Sequence, residues 1–199
     1  EKKITAGGTA FRAAIAMDIQ GFNSRVHFVS MNAKIKELLP KKCEYICSSN
    51  KFSYNPHLII QYPKNLKIDV NDINIFSEKE DRIIFVNDPE NEQLEINPLL
   101  EQHINDTNVL LISGFNAIKK IELLIKRIDI LKKYLKNIPK QSYVFYEDGC
   151  FHNEKYSSLV KDYLFDTVDI CSMNQNEFKT VVGNYEFLSN PTKLFNCLE

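Results

Sequence analysis

Apolar residues recur along this chain with two different periods, and the switches between them lay out its elements. After the pair Gly7-Gly8, the positions Ala10, Ala13, Ala14, Met17 and Ile19 fall broadly on one face of a helix that Gly21 stops. Residues 25–31 (RVHFVSM) read as a strand. Residues 32–39 read as a short helix that Asn32 caps and Pro40 ends, and 44–48 (EYICS) as a second strand.

The texture changes between residues 53 and 88. The segments 57–62 (HLIIQY), 66–70 (LKIDV) and 82–86 (RIIFV) are short, β-rich and separated by Pro, Asn, Asp and Lys. No long helix pattern lies between them, which predicts a small antiparallel sheet and a lid-like insertion. Alternation of strand and helix then resumes. Residues 108–113 (NVLLIS) form a near-continuous apolar run ending at Gly114, the pattern of a strand buried on both faces of a parallel sheet. A long helix follows, with Ala117, Ile121, Leu124, Ile128, Leu131 and Leu135 at alternating steps and Pro139 beyond its end. Strands at 142–146 and 167–171, helices at 154–163 and 175–182, and a further helix start at Asn190 complete the reading.

These βα steps predict an α/β fold with a mostly parallel sheet and helices on both faces. The expected organisation is a large α/β domain made of residues 1–50 and 91–199, interrupted by the β-rich segment 51–90. Ligands of such sheets bind beyond the carboxyl ends of the strands. That selects Ser113-Gly114-Phe115-Asn116, Glu147-Asp148-Gly149 and Ser172-Met173-Asn174 as places.

Composition removes several function classes. The 199 residues are 44% hydrophobic and 26% charged, too apolar for a disordered chain. A net charge of −1 gives no basic footprint for nucleic acid. No apolar run approaches the roughly 18–20 residues of a membrane span. The five cysteines are scattered without zinc-site spacing and read as small hydrophobes, and the four histidines show no metal-ligand spacing. No signal-like apolar stretch opens the chain, which has no initiator Met. A cytoplasmic location is expected, or the secretory pathway if a signal precedes residue 1.

Four places could carry chemistry. Asn174 and Glu177 sit where a strand turns into a helix; as N-cap and third residue they form a capping box, or their rim position lets the carboxylate hold a hydrated magnesium ion. Glu147 closes the preceding strand and reads as a solvated acid or as the second carboxylate of that site. Gly7-Gly8-Thr9 before a helix is either a packing turn or a place where backbone N–H groups meet a ligand, and it is not the G-x-G-x-x-G of a dinucleotide site. Arg82 in the β-rich segment is a surface charge or a bidentate phosphate clamp.

The ordered series GGTAFRAAIAM, HLIIQY, DRIIFVND, NVLLISGFNAI, VFYEDG and VDICSMNQNEF resembles the ADP-dependent glucokinases and phosphofructokinases, a branch of the ribokinase-like kinases. The likeness runs from Gly7 to about Val182. It implies a ribokinase-like fold and transfer of phosphate from ADP to glucose or fructose 6-phosphate with Mg²⁺, releasing AMP. Gly7, Gly8 and Thr9 would border the sugar, with Ser113 and Gly114 also at the substrate. The H-x-E motif falls on Phe145-Tyr146-Glu147, keeping the glutamate and replacing the histidine. The N-x-x-E motif falls on Asn174 to Glu177, so that Glu147 and Glu177 would organise the metal while Arg82 and Asn174 meet phosphate. The lid glutamate is replaced by Gln61.

The G-x-G-D segment that carries the catalytic aspartate in this fold does not occur, so no catalytic base is assigned here and the chain is expected to be cut at both ends. Two rivals stand beside this reading: a catalytically inactive relative acting as an interaction module, and an ATP-dependent sugar kinase of the same fold.

Overall fold

The computed structural model describes residues 5, 7–49, 56–174 and 177–178. The chain divides into two compact units, Glu1–Phe52 with Glu90–Glu199, and Ser53–Pro89.

The first unit opens with α1 (Thr9–Ile19), entered from Gly8 at φ +88°, a conformation that side-chain-bearing residues rarely adopt. Its buried residues are Phe11 and Ala14, while Met17 and Ile19 are exposed, so the expected apolar face is rotated toward Phe11, which meets Phe28. β1 (Ser24–Phe28) follows, then α2 (Ala33–Leu38) and β2 (Cys43–Cys47). Asn32 caps α2 as expected, its side chain accepting the Ile35 N–H at 2.9 Å. β1 and β2 pair in parallel.

The second unit holds β3 (Leu58–Tyr62), β4 (Lys67–Val70), β5 (Ile73–Phe76) and β6 (Asp81–Phe85). β3 pairs antiparallel with β6, and β4 with β5, giving two separate two-stranded sheets rather than one. β5 is an addition to the sequence reading. Asn71 at φ +53° turns β4 into it, a two-residue Asn-Asp connection between apolar runs. Ser77 ties the base of that hairpin, accepting the Leu66 N–H and donating to Pro63 O.

The first unit continues with two short helices that the sequence reading omits, α3 (Pro89–Gln93) and α4 (Leu99–Ile104). Next come β7 (Val109–Ile112), α5 (Ile121–Leu135), β8 (Tyr143–Glu147), α6 (Glu154–Leu164) and β9 (Ile170–Ser172). Ala117 lies in a 3₁₀ turn, not in the long helix, and Thr167 in another, not in the last strand.

Leu124, Ile128, Leu131 and Leu135 form the buried stripe of α5, with Glu122 in the first turn and Lys132 and Lys133 in the last complementing the helix dipole. β7, β8 and β9 are parallel in that order, with Ile112 opposite Tyr146 and Glu147 opposite Ser172. β7 is therefore an edge among the described residues, and Val109 is 60% exposed; the strand paired on both sides is β8. α5 and α6 pack against each other and share one core with β7 and β8. The parallel strands thus form two sheets, β1–β2 and β7–β8–β9, rather than one. Of the helix expected at 175–182 only Glu177 and Phe178 are described, both helical, and Asn190 lies outside the described residues. Cys171 packs half-buried against the core, as a small hydrophobe does, while Cys43 and Cys47 are half-buried and Cys150 is exposed.

Candidate active site

The parallel register brings the ends of β8 and β9 level. Beyond them lies an open cleft of about 260 Å³ lined by Glu147, Asp148, Ser172, Met173, Asn174 and Glu177. Three of the sequence-selected residues therefore meet: Glu147 from the end of β8, and Asn174 and Glu177 from the turn after β9. The Asn174 side chain accepts the Glu177 N–H at 3.1 Å, and Glu177 Oε2 accepts the Asn174 N–H at 2.6 Å. This reciprocal capping box bears out the structural reading of the motif and holds Glu177 on the cleft.

Asp148 is a residue that the sequence places at the strand end without assigning it a role. Its backbone N–H donates to Ser172 O at 2.8 Å, extending the β8–β9 ladder. Its carboxylate is buried, accepts the Tyr146 hydroxyl at 2.9 Å and lies 3.1 Å from Lys161 Nζ. Burial, reinforced by the negative charge of Asp148, pushes the Tyr146 hydroxyl far above its ordinary range, so Tyr146 is a hydrogen-bond donor and not a base. Burial likewise raises the Cys171 thiol. In the loop after β8, a Cβ at Gly149 would come 2.7 Å from the Asn116 side chain of the loop after β7, which would have to shift.

The other candidates are not among the residues that line this cleft. Gly7 and Gly8 have open space where a Cβ would stand, so a tight approach does not require them; the positive φ of Gly8 does. Gly114 ends β7 at φ +94° and, with Ser113, does not line the cleft. Within the second unit, Arg82 is exposed on β6 opposite Gln61, and both line a separate open cavity of about 570 Å³ with Tyr62, Pro63, Glu80 and Asp81. The Arg82 N–H donates to Asp81 Oδ1 at 2.9 Å, which, with Lys79, holds the Asp81 carboxyl below its ordinary range.

His27 has a structural place. Burial lowers it to about 4, its Nε2 accepts the Asn97 N–H at 3.2 Å, and Ser48 Oγ lies at 2.7 Å.

Among the described residues, no group of three or more His, Cys, Asp or Glu could by itself hold a metal ion. A magnesium ion carried in on phosphates needs less, one or two carboxylates with waters completing its shell, and Glu147 and Glu177 on one open cleft fit that requirement.

The conserved-region model of the ADP-specific phosphofructokinase/glucokinase family matches residues 1–195. The chain belongs to this family. No curated protein matches it at the sequence level. Its fold is that of solved members of the family. It covers 96% of the chain with a TM-score of 0.61 and 15% identity to a hypothetical ADP-dependent phosphofructokinase from Pyrococcus horikoshii OT3. For a second Pyrococcus horikoshii OT3 phosphofructokinase structure, with AMP, the figures are 89%, 0.63 and 15%. A last common ancestor of ADP-dependent phosphofructokinases from Methanosarcinales gives 81%, 0.54 and 14%. The chain spans 48%, 45% and 40% of those structures, about half their length. The ribokinase-like α/β class read from the sequence holds for the part covered. No helix among the described residues is long and apolar enough to cross a membrane.

Proposed function

We propose that this chain is part of an ADP-dependent sugar kinase, which moves the β-phosphoryl group of ADP to a hexose or hexose phosphate hydroxyl and releases AMP. One observation carries the reading: Glu147, Asn174 and Glu177 line a single cleft beyond the carboxyl ends of parallel strands, where α/β proteins bind ligands. The Pyrococcus structure with AMP supports the nucleotide class.

Phosphoryl transfer asks for little covalent work from the protein and much positioning and charge neutralisation. Mg²⁺, when bound, would neutralise the charge that develops on the phosphates. In this reading Glu147 and Glu177 hold the metal, with Asn174 fixing the Glu177 turn and donating to phosphate. Arg82 binds phosphate bidentately from the 53–89 unit, which acts as the lid. Gly7, Gly8 and Thr9, with Ser113 and Gly114, contact the sugar. The catalytic base is assigned to no residue of this chain.

The test is AMP release by the full-length protein that carries this chain, given Mg-ADP or Mg-ATP with glucose or fructose 6-phosphate. Glu177→Gln separates the two roles of that residue, because glutamine still completes a capping box but carries no charge. The expected result is AMP from ADP with one sugar, and at least about a hundredfold loss in the variant at an unchanged melting temperature. No transfer from a folded protein with either donor ends the kinase reading and leaves the interaction module.

A further inference from the structure

Lys161 occupies a position where a helix packs. α6 buries Ser157, Val160, Lys161 and Leu164, the i, i+3, i+4, i+7 stripe that turns a helix toward a core. Lysine is almost never buried in this way unless paired. Asp148 is one partner, with side chains 11% and 1% exposed. The Asp148 carboxylate also holds Tyr146 of β8 while its backbone N–H holds Ser172 of β9, so the pair sits where α6, β8 and β9 meet, one residue beyond Glu147.

Stability alone is a poor account of this arrangement. Asp148 Oδ2 is buried and has no hydrogen-bond partner among the described residues, so its contact with Lys161 supplies charge without a well-aimed bond. A buried pair of that quality stabilises a fold no better than apolar side chains of equal volume. Location is more telling. The cleft is lined by three carboxylates, Glu147, Asp148 and Glu177, and Lys161 neutralises one of them.

We propose that Lys161 and Asp148 are positioning residues of the cleft. Their pairing holds the end of β8 against β9 so that Glu147 shares the cleft with Glu177, and it withdraws Asp148 from the charge offered to a nucleotide-bound divalent cation. The inference rests on the kinase reading above, and deepens it by giving a role to Asp148 and Lys161, to which the motif series assigns none.

The test compares the full-length protein with its Asp148→Asn/Lys161→Met variant, in which asparagine still accepts the Tyr146 hydroxyl and no charge is left unpaired. Three quantities are read: melting temperature, Mn²⁺ binding in the presence of ADP by electron paramagnetic resonance, and AMP formation. The variant is expected to melt within about 3 °C of the parent. It should bind Mn²⁺ about tenfold more weakly and lose about tenfold in kcat, with KM for the sugar unchanged, as when a group behind a metal ligand is removed. Parental Mn²⁺ affinity and kcat in the variant would overturn the inference and leave the kinase reading intact. A drop of more than about 10 °C would also overturn it, by making the pair a stability element. A parent that forms no AMP removes the kinase reading and this inference together.

Discussion

At the residue scale, Gly149, in the loop that follows Glu147 and Asp148, stands close against Asn116. A methyl group at position 149 would stand 2.7 Å from the Asn116 Cγ and about as close to both terminal atoms of that side chain. Gly149 has no positive φ, so the demand is for space and not for backbone freedom. Gly149→Ala in the full-length protein should therefore cost about 1–3 kcal/mol in urea unfolding, as overpacking does, and Asn116→Ala should recover most of it. Additive losses in that double-mutant cycle would show that the two loops do not press on each other. Asn174 and Glu177 were legible because a capping box is written in four consecutive residues. Asp148, Lys161 and Gly149 were not, because each takes its meaning from a residue 13 to 33 positions away; in EKYSSLVKDYL the lysine reads as one more solvated charge.

At the element scale, α5, β8 and α6 could be read from the chain because their periodicity is long or their ends are marked. β5 and α3 and α4 escaped for lack of length: four, five and six residues give too few repeats to distinguish a pattern. The edge position of β7 escaped for another reason, since an apolar run records burial on its faces and not how many strands flank it.

Two predictions belong here. Ile128, fully buried at the centre of the α5 stripe, should lose about 2–5 kcal/mol on change to Ala, read from urea unfolding; a loss under about 1 kcal/mol would place α5 outside the cooperative core. The second concerns the clamp that joins the ends of β1 and β2 to residues 95–97, where His27 accepts the Asn97 N–H, Asn97 Nδ2 donates to Cys47 O at 2.6 Å and Ser48 Oγ donates to Glu95 O at 2.5 Å. His27 is held neutral, at about 4 against an ordinary 6.5. Above pH 6.5 neither state of the chain binds the proton, so stability is fully present. As pH falls from 6.5 toward 4 the unfolded chain binds it and the folded chain does not, and up to about 3 kcal/mol is lost before the effect levels off. Denaturant midpoints should fall between pH 7 and 5, and His27→Gln should flatten that slope; an equal slope in the variant would assign it to other groups.

At the scale of the whole molecule, one class of fold was legible and its continuity was not. The alternation of strands and helices gives an α/β protein, but whether successive parallel strands join one sheet depends on contacts between segments far apart in sequence, and here β1–β2 and β7–β8–β9 stand as two. The unit Ser53–Pro89 carries a physical cost of its own. Each of its sheets has two strands, too few to bury a face. Ile59, Ile75, Phe76 and Phe85 remain 48%, 55%, 53% and 54% exposed. Apolar area of that kind on adjoining strands drives association, and the strand edges supply unpaired backbone groups for it. The 199-residue chain by itself should therefore self-associate at micromolar concentration, seen as a sedimentation coefficient that rises with protein. Phe76→Glu with Phe85→Thr should reduce it without unfolding the hairpin, because position 76 lies opposite Lys67, where a glutamate gains a cross-strand partner, and threonine is well suited to a strand. A chain that stays monomeric from about 1 to 100 μM would mean that these faces are covered, and the exposed strands would then lose their place as the source of association.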